Sequence, residues 1–452
     1  MIKFLPLGGA DEVGASCYYL YIDGTGIILD CGIHPQKIGL ESLPDFDLIK
    51  DEPIDFVFIS HAHQDHIGAL PFLIKKFPHL QIFSTIQTAE IALLTLHNSA
   101  NLLREEINDE TFPIYTHEEV DMLIRSIKFY NYKQQIEISG LCHSNSEKIK
   151  VTFHDAGHIL GAAAILIEYA NKIIFYTGDF RLEEQFIMNG VNFPKTKVDF
   201  LITETTYGST PTEKLETFHS ESKRFAKEAN KIISLGGSIL VPVFALGKMQ
   251  EILMMIHLLM VKNQLTHVPI YTGGLAKDIS HLYDLNKYLV KRNYPDVDLK
   301  KIEQKDYYLI KDVNQFFKES CIVLATSGMV LPRTVSHRLT EYWLDNSKSA
   351  IFIVSYCSPE TPGYALINAK EGQKIIFNSF EKEVKCDIKK FNFPSHASRN
   401  SIVELIKKVS PEKLVLIHGE ENSHKWIGEN ALSLNSHMNV YSPSKGKEIV
   451  FD

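Results

Sequence analysis

Residues 60–68 read Ser60-His61-Ala62-His63-Gln64-Asp65-His66-Ile67-Gly68. Three histidines and a carboxylate fall within six residues, straight after the apolar run Phe56–Ser60. With 19 histidines in 452 residues, that spacing arises by chance about 0.03 times per chain. A loop leaving a strand can aim His61 and His63 at one ion, then turn so that Asp65 and His66 face a second. Imidazole and carboxylate without thiolate suit a catalytic metal site better than a structural one.

Further ligand types stand at other strand ends, where loops assemble such sites. His158 lies in Asp155-Ala156-Gly157-His158-Ile159-Leu160-Gly161, whose small residues allow close approach. Asp179 follows Tyr176-Thr177-Gly178, and His418 follows Leu416-Ile417. Alone, each reads as a turn or capping residue. Joined to the first cluster, they give two ions three or four ligands each, with His61, His63 and His158 on one, Asp65, His66 and His418 on the other, and Asp179 between. The expected cofactor is two zinc ions, with manganese as the alternative.

The rest of the composition bounds the chemistry. The chain is 44% hydrophobic and 23% charged, which excludes disorder and collagen-like structure. Net charge is −8, so a nucleic acid would have to be met by a local patch or by bound metal. Six cysteines form no CxxC pair and read as buried thiols of a reducing, cytoplasmic protein. The N-terminus lacks a signal-type apolar stretch, and the longest apolar run, near Ile252–Val261, is broken by His257. No membrane segment is expected.

Strand and turn signals alternate through the first part of the chain. Ser16–Ile22 and Gly26–Asp30 flank Asp23-Gly24, a hairpin signal. Ile149–Phe153, Ala163–Tyr169, Lys172–Tyr176 and Phe200–Glu204 read as strands, and Gly68–Phe77 and Thr88–Leu103 as helices. Beyond about Thr210, helices expected at Glu213–Leu235 and Gly247–Val261 alternate with strands at Ser238–Val243, Val268–Tyr271 and Ile322–Thr326, a parallel α/β pattern. After about Phe391 short strands resume, at Lys413–Ile417 and Glu448–Phe451. The expected domains are 1–209 and 391–452 as the two parts of one domain, with 210–390 inserted.

The His-x-His-x-Asp-His pattern, with a lone His and a lone Asp after later strands, resembles the metallo-β-lactamase superfamily. Asp30 in Ile28-Leu29-Asp30-Cys31-Gly32 matches its first motif, where the Asp orients loop and ligands. The insertion resembles that of the β-CASP branch, which cuts nucleic acids. Glu204 in Thr203–Gly208, His396 in Pro394–Ala397 and His418 match its motifs A, B and C. The sequence departs from that pattern at Ser398, where Asp is usual, at Pro394-Ser395, and at Ser355–Thr361.

The resemblance implies an α/β fold, a metallo-β-lactamase αββα sandwich with an inserted α/β domain. It implies a zinc-dependent ribonuclease that leaves 5′-phosphate and 3′-hydroxyl ends on single-stranded RNA. Asp65, Glu204 and His396 would be catalytic, with His396 the general acid and Glu204 its support. A DNA nuclease of the same branch and a non-catalytic scaffold subunit are the alternatives; His at position 418 favours RNA, and the complete ligand set favours an enzyme. Thr326-Ser327-Gly328, after an apolar strand, and Lys248, at a helix start, are candidate phosphate anchors. Tyr207 and Tyr356 are candidates for base stacking, and Arg333, His337 and Arg338 for a basic strip. A monomer and a homodimer both fit.

Overall fold

The computed structural model describes residues 1–106, 114–141, 147–212, 217–377 and 380–451. The chain divides into two compact units. The first comprises Met1–Glu183, Gly190–Lys214 and His396–Asp452; the second comprises Glu184–Asn189 and Leu215–Ser395.

The first unit is built on two sheets, each of seven strands among the described residues. The first sheet runs in the order Ile449–Phe451, Ile2–Gly8, Cys17–Ile22, Thr25–Leu29, Phe56–Phe58, Gln81–Ser84 and Lys128–Phe129. The second runs Asn439–Tyr441, Lys413–Ile417, Phe200–Glu204, Lys172–Tyr176, Ala163–Tyr169, Ile149–Asp155 and Gln135–Ile138. Alternate residues of both sheets, such as Phe4, Leu20, Ile27 and Phe58 against Val151, Ile165, Ile174 and Ile202, meet in one core. Their outward neighbours Leu5, Tyr19, Ile28 and Val57 are buried as well, as a helix–sheet–sheet–helix sandwich requires. The helix Glu421–Leu434 packs on Lys413–Ile417 and Asn439–Tyr441. Trp426 on this helix lies under the Arg399 guanidinium, 4.3 Å from ring centre to carbon.

The second unit carries a six-stranded, all-parallel sheet in the order Lys305–Asp306, Ile270–Thr272, Ile322–Ala325, Ile239–Pro242, Ala350–Ile353, Asp387–Lys390. Ile239–Pro242 and Ile322–Ala325 are continuous buried apolar runs, the signature of a strand covered on both faces. The helix Lys248–Val261 is apolar around most of its circumference because it is buried around most of it. Trp343 is fully buried and donates its Nε1–H to the Ser238 carbonyl at 3.1 Å. The Glu251 carboxylate accepts from three successive backbone amides, Phe186, Ile187 and Met188, at 2.6, 2.8 and 3.0 Å.

The hairpin about Asp23-Gly24 forms as expected, between Cys17–Ile22 and Thr25–Leu29. The helix expected at Glu213–Leu235 is described from Phe218 to Ser234, capped by the Thr217 hydroxyl; residues 213–216 lie outside the described residues. The short strands expected after Phe391 form at Lys413–Ile417 and Ile449–Phe451, and the sequence reading left the helices among them unmarked. Two helices, Arg399–Val409 and Glu421–Leu434, alternate with the strands there. Ile402, Leu405, Ile406 and Val409 carry the helical spacing, on an element of only 11 residues. No helix among the described residues is long and apolar enough to cross a membrane. The five described cysteines are buried and unbridged.

Candidate metal centre and active site

Parallel strands deliver the site residues to one level. Lys172–Tyr176, Phe200–Glu204 and Lys413–Ile417 run parallel, with Tyr176 opposite Ile202 and Glu204 opposite Ile417. Asp179, Glu204 and His418 therefore emerge together. In the facing sheet Thr25–Leu29 runs parallel to Phe56–Phe58, with Leu29 opposite Phe58, and releases Asp30 beside Ser60-His61. The Ala163 amide donates to the Ser60 carbonyl at 2.8 Å and ties the two sheets together at this end. Gly178 is required at its position. Its φ is +53°, and a Cβ there would lie 2.7 Å from the Ser60 side chain.

Asp30 is the buried hub beneath the histidines. It accepts from the Ser60 amide and hydroxyl at 2.6 Å each, from the Tyr176 hydroxyl at 2.5 Å, and from His66 Nδ1 at 2.8 Å. These bonds fix tautomers. His66 gives its Nδ1 proton to Asp30 and turns Nε2 into the site, toward Asp179 Oδ2 at 3.3 Å. Ser60 spends its own proton on Asp30, so its oxygen accepts from His61 Nδ1 at 3.0 Å. His61 Nε2 is left bare in turn. Asp30 itself holds φ +60°, a conformation seldom adopted outside glycine and paid for by this network.

Two groups of ligand atoms converge. His61, His63, His158 and Asp179 each offer one atom, all within 4.8 Å of one another; Asp65, His66 and His418 do the same. His61 Nε2 and His158 Nε2 lie 3.1 and 3.2 Å from His63 Nδ1. Asp179 Oδ2 lies 3.5 and 3.7 Å from His61 and His158 Nε2. Donors about 2.0–2.1 Å from one tetrahedral ion would sit about 3.3 Å apart, so the spacing fits. Asp179 also faces the second group, with Oδ2 at 3.3 Å from His66 Nε2 and Oδ1 at 3.4 Å from His418 Nδ1. That Oδ1 is buried and accepts no hydrogen bond from any described residue. A buried carboxylate oxygen left so is costly unless a cation meets it.

Charge in the cluster follows from burial and neighbours. Burial, then the nearby His66, drives His61 well below the ordinary histidine range; burial lowers His63. Burial opposes charge on His66 too, but Asp179, Asp65 and Asp30 outweigh it and raise His66 strongly. Burial would raise Asp65 and Asp179, yet His66 and His418 hold both well below the carboxylate range. The carboxylates thus stay ionised and draw positive charge into the pocket.

Glu204 and His396 form a pair beside this cluster. Glu204 is fully buried, accepts from the Phe180 amide at 3.0 Å and from the Thr206 hydroxyl at 2.5 Å. Its Oε1 and Oε2 lie 3.3 and 3.1 Å from His396 Nδ1. Burial works against charge on His396, but Glu204 and Asp179 lift it to about 9. Tyr207 lies close by, its ring centre 6.1 Å from that of His396.

The four candidate phosphate anchors belong to the second unit, apart from the metal-ligand types. Lys248 is buried and donates to the Phe393 carbonyl and to Ser395 Oγ, the latter at 2.9 Å. Ser327 Oγ accepts from the Leu331 amide at 3.0 Å, and the Thr326 carbonyl from the Ser336 amide at 2.7 Å. A Cβ on Gly328 would lie 2.7 Å from Ser355 Oγ. His337 stacks on Phe377 at 4.5 Å, Tyr356 is half exposed, and Arg333 sits at φ +65°. Sequence reasoning passed over Thr206 and Arg181. Thr206 carried a local signal, two residues after the recognised acid Glu204, whereas Arg181 meets the His396 carbonyl, 215 residues away, and carried none.

Residues 19–206 match the family described as metallo-beta-lactamase superfamily domain, 249–366 the Beta-Casp domain, and 381–442 the Zn-dependent metallo-hydrolase RNA specificity domain. The chain is 32% identical to cleavage and polyadenylation specificity factor 73 of Drosophila melanogaster, over 93% of this chain and 60% of that protein. It is 32% identical to an RNase J-like protein of Methanocaldococcus jannaschii, over 91% of each. A crystal structure of a protein of unknown function from Enterococcus faecalis V583 shares the fold, with TM-score 0.57 and 14% identity over the full length of both chains. The chain belongs to the β-CASP branch of the metallo-β-lactamase superfamily, a metal-dependent family of hydrolases.

Proposed function

We propose that the protein is a zinc-dependent ribonuclease that hydrolyses single-stranded RNA, leaving 5′-phosphate and 3′-hydroxyl ends. The observation that carries this reading is the Glu204–His396 pair set against ligand atoms whose shared carboxylate, Asp179, keeps a buried oxygen without a hydrogen bond. The two relatives, a cleavage and polyadenylation specificity factor and an RNase J-like protein, support RNA as substrate. In the same reading residues 1–209 and 391–452 are the metal-binding domain and 210–390 the insertion; the protein acts in the cytoplasm as a monomer or homodimer.

Two zinc ions, held by His61, His63 and His158 and by Asp65, His66 and His418 with Asp179 shared, would activate water and neutralise the phosphoryl oxygens. The protein's own residues do the rest. Asp65 is the most open of the ligand carboxylates, with 23% of its side chain exposed against 2% for Asp179. It accepts the proton of the attacking water. His396, lifted to about 9, is protonated on both nitrogens: Nδ1–H is held by Glu204, and the Nε2 proton passes to the departing 3′ oxygen. The water oxygen joins phosphorus as the bond to that oxygen breaks.

The test is cleavage of end-labelled single-stranded RNA and DNA, with and without chelator. Chelator-sensitive cleavage of RNA is expected. Cleavage of DNA alone would point to the DNA-nuclease alternative, and no cleavage by fully metallated protein to a scaffold.

A further inference from the structure

We propose that Arg181 is a positioning residue for His396, and that Glu183 supplies the negative charge which keeps Arg181 in place. The inference rests on the reading of His396 as the proton donor. Arg181 is only 5% exposed. Its Nη1 donates to the His396 carbonyl at 2.9 Å and lies 3.8 Å from Glu183 Oε2. The backbone of Arg181 is itself pinned. Its amide donates to Ala156 in the His158 loop at 2.8 Å, and its carbonyl accepts from Val191 at 3.1 Å. A fixed guanidinium therefore holds the main chain of His396 at one distance from the loops that carry His158 and Asp179.

A buried guanidinium needs a counter-charge. Position 398, two residues beyond His396, carries an uncharged serine. Ser398 caps the helix Arg399–Val409 by accepting from the Ser401 amide. Ser398 Oγ and Ser401 Oγ both donate to Glu183 Oε1, the former at 3.3 Å. The acid is thus delivered from the strand side, by Glu183, to the spot where an aspartate at the cap would place one. An aspartate at 398 would cap the helix as well as serine does. The two arrangements are alternatives, because two carboxylates side by side would repel.

The prediction is a reversal of sign between two substitutions. Glu183→Gln is isosteric at a side chain that is 43% exposed. It should lower kcat about fivefold with KM and metal content unchanged. Ser398→Asp alone should also lower kcat, by about the same factor, since it sets a second carboxylate against Glu183. The double variant should recover to within about twofold of the parent. Thermal melting of each variant separates folding losses from positioning losses. His396→Ala serves as the control: if it leaves the rate intact, the reading of His396 is wrong. If His396→Ala is crippling while the two other substitutions simply multiply, the Arg181–Glu183 proposal is overturned. A Glu183→Gln defect confined to KM would overturn it too, by making Glu183 a contact for RNA.

Discussion

Glu204 holds His396 by one nitrogen: both carboxylate oxygens lie within 3.3 Å of Nδ1, while the Phe180 amide and Thr206 hydroxyl fix the carboxylate from behind. His396→Ala should therefore lower the cleavage rate about 10²–10⁴-fold and leave metal content and melting temperature unchanged. The loss should shrink on a substrate with a better leaving group. Glu204→Gln should show a smaller defect of the same kind. Loss of metal in the His396 variant would instead make that residue a ligand.

Removal of metal should abolish activity and loosen the first unit. Seven ligand-type side chains, carried by four segments that follow four different strands, lose their common partner. A ligand at 100 times its dissociation constant adds about 2.7 kcal/mol to the folded state. Elemental analysis should find two transition-metal ions per chain, and chelation should lower the melting temperature. Active protein with less than one ion per chain would contradict the ligand assignment.

Asp30→Asn should weaken metal binding about 10–100-fold without altering any ligand. The amide cannot accept at both positions from Ser60, Tyr176 and His66, so the tautomers of His61 and His66 are no longer enforced. Competition with a coloured chelator measures the change. Unaltered affinity would show that the hub is dispensable.

Glu251→Ala should destabilise the second unit by about 2–4 kcal/mol, because three backbone amides, two of them buried, lose their acceptor together. The segment Glu184–Asn189 should become sensitive to limited proteolysis. Cleavage no faster than in the parent would show that other contacts retain it.

Much of the first unit was legible in the sequence because its strands carry distinct punctuation. The hairpin at Asp23-Gly24 and the strand ends before His61, Asp179 and His418 are marked by turn residues or by ligand types, and strand ends are where parallel sheets expose side chains. The helix Arg399–Val409 escaped because its apolar spacing spans only two to three turns and its cap, Ser398, stands where the motif pattern leads one to look for an acid. Lys248 shows a different limit. Its place at a helix start suggests an anion site, but whether the ammonium faces solvent or a carbonyl depends on what packs above it, here Phe393 and Ser395. The supporting roles of Arg181 and Glu183 depend on contacts more than 200 residues apart, which no local pattern encodes.

The two tryptophans of the chain fall one to each unit, Trp343 in the second and Trp426 in the first. Their surroundings differ: Trp343 is sealed in apolar side chains, and Trp426 is half-buried under a guanidinium. The protein consequently carries its own pair of fluorophores, with Trp343 emitting at shorter wavelength. Replacing either one by phenylalanine leaves a single native lamp in a known unit, so that chelator, RNA or denaturant can be followed as it reaches one half of the molecule and not the other.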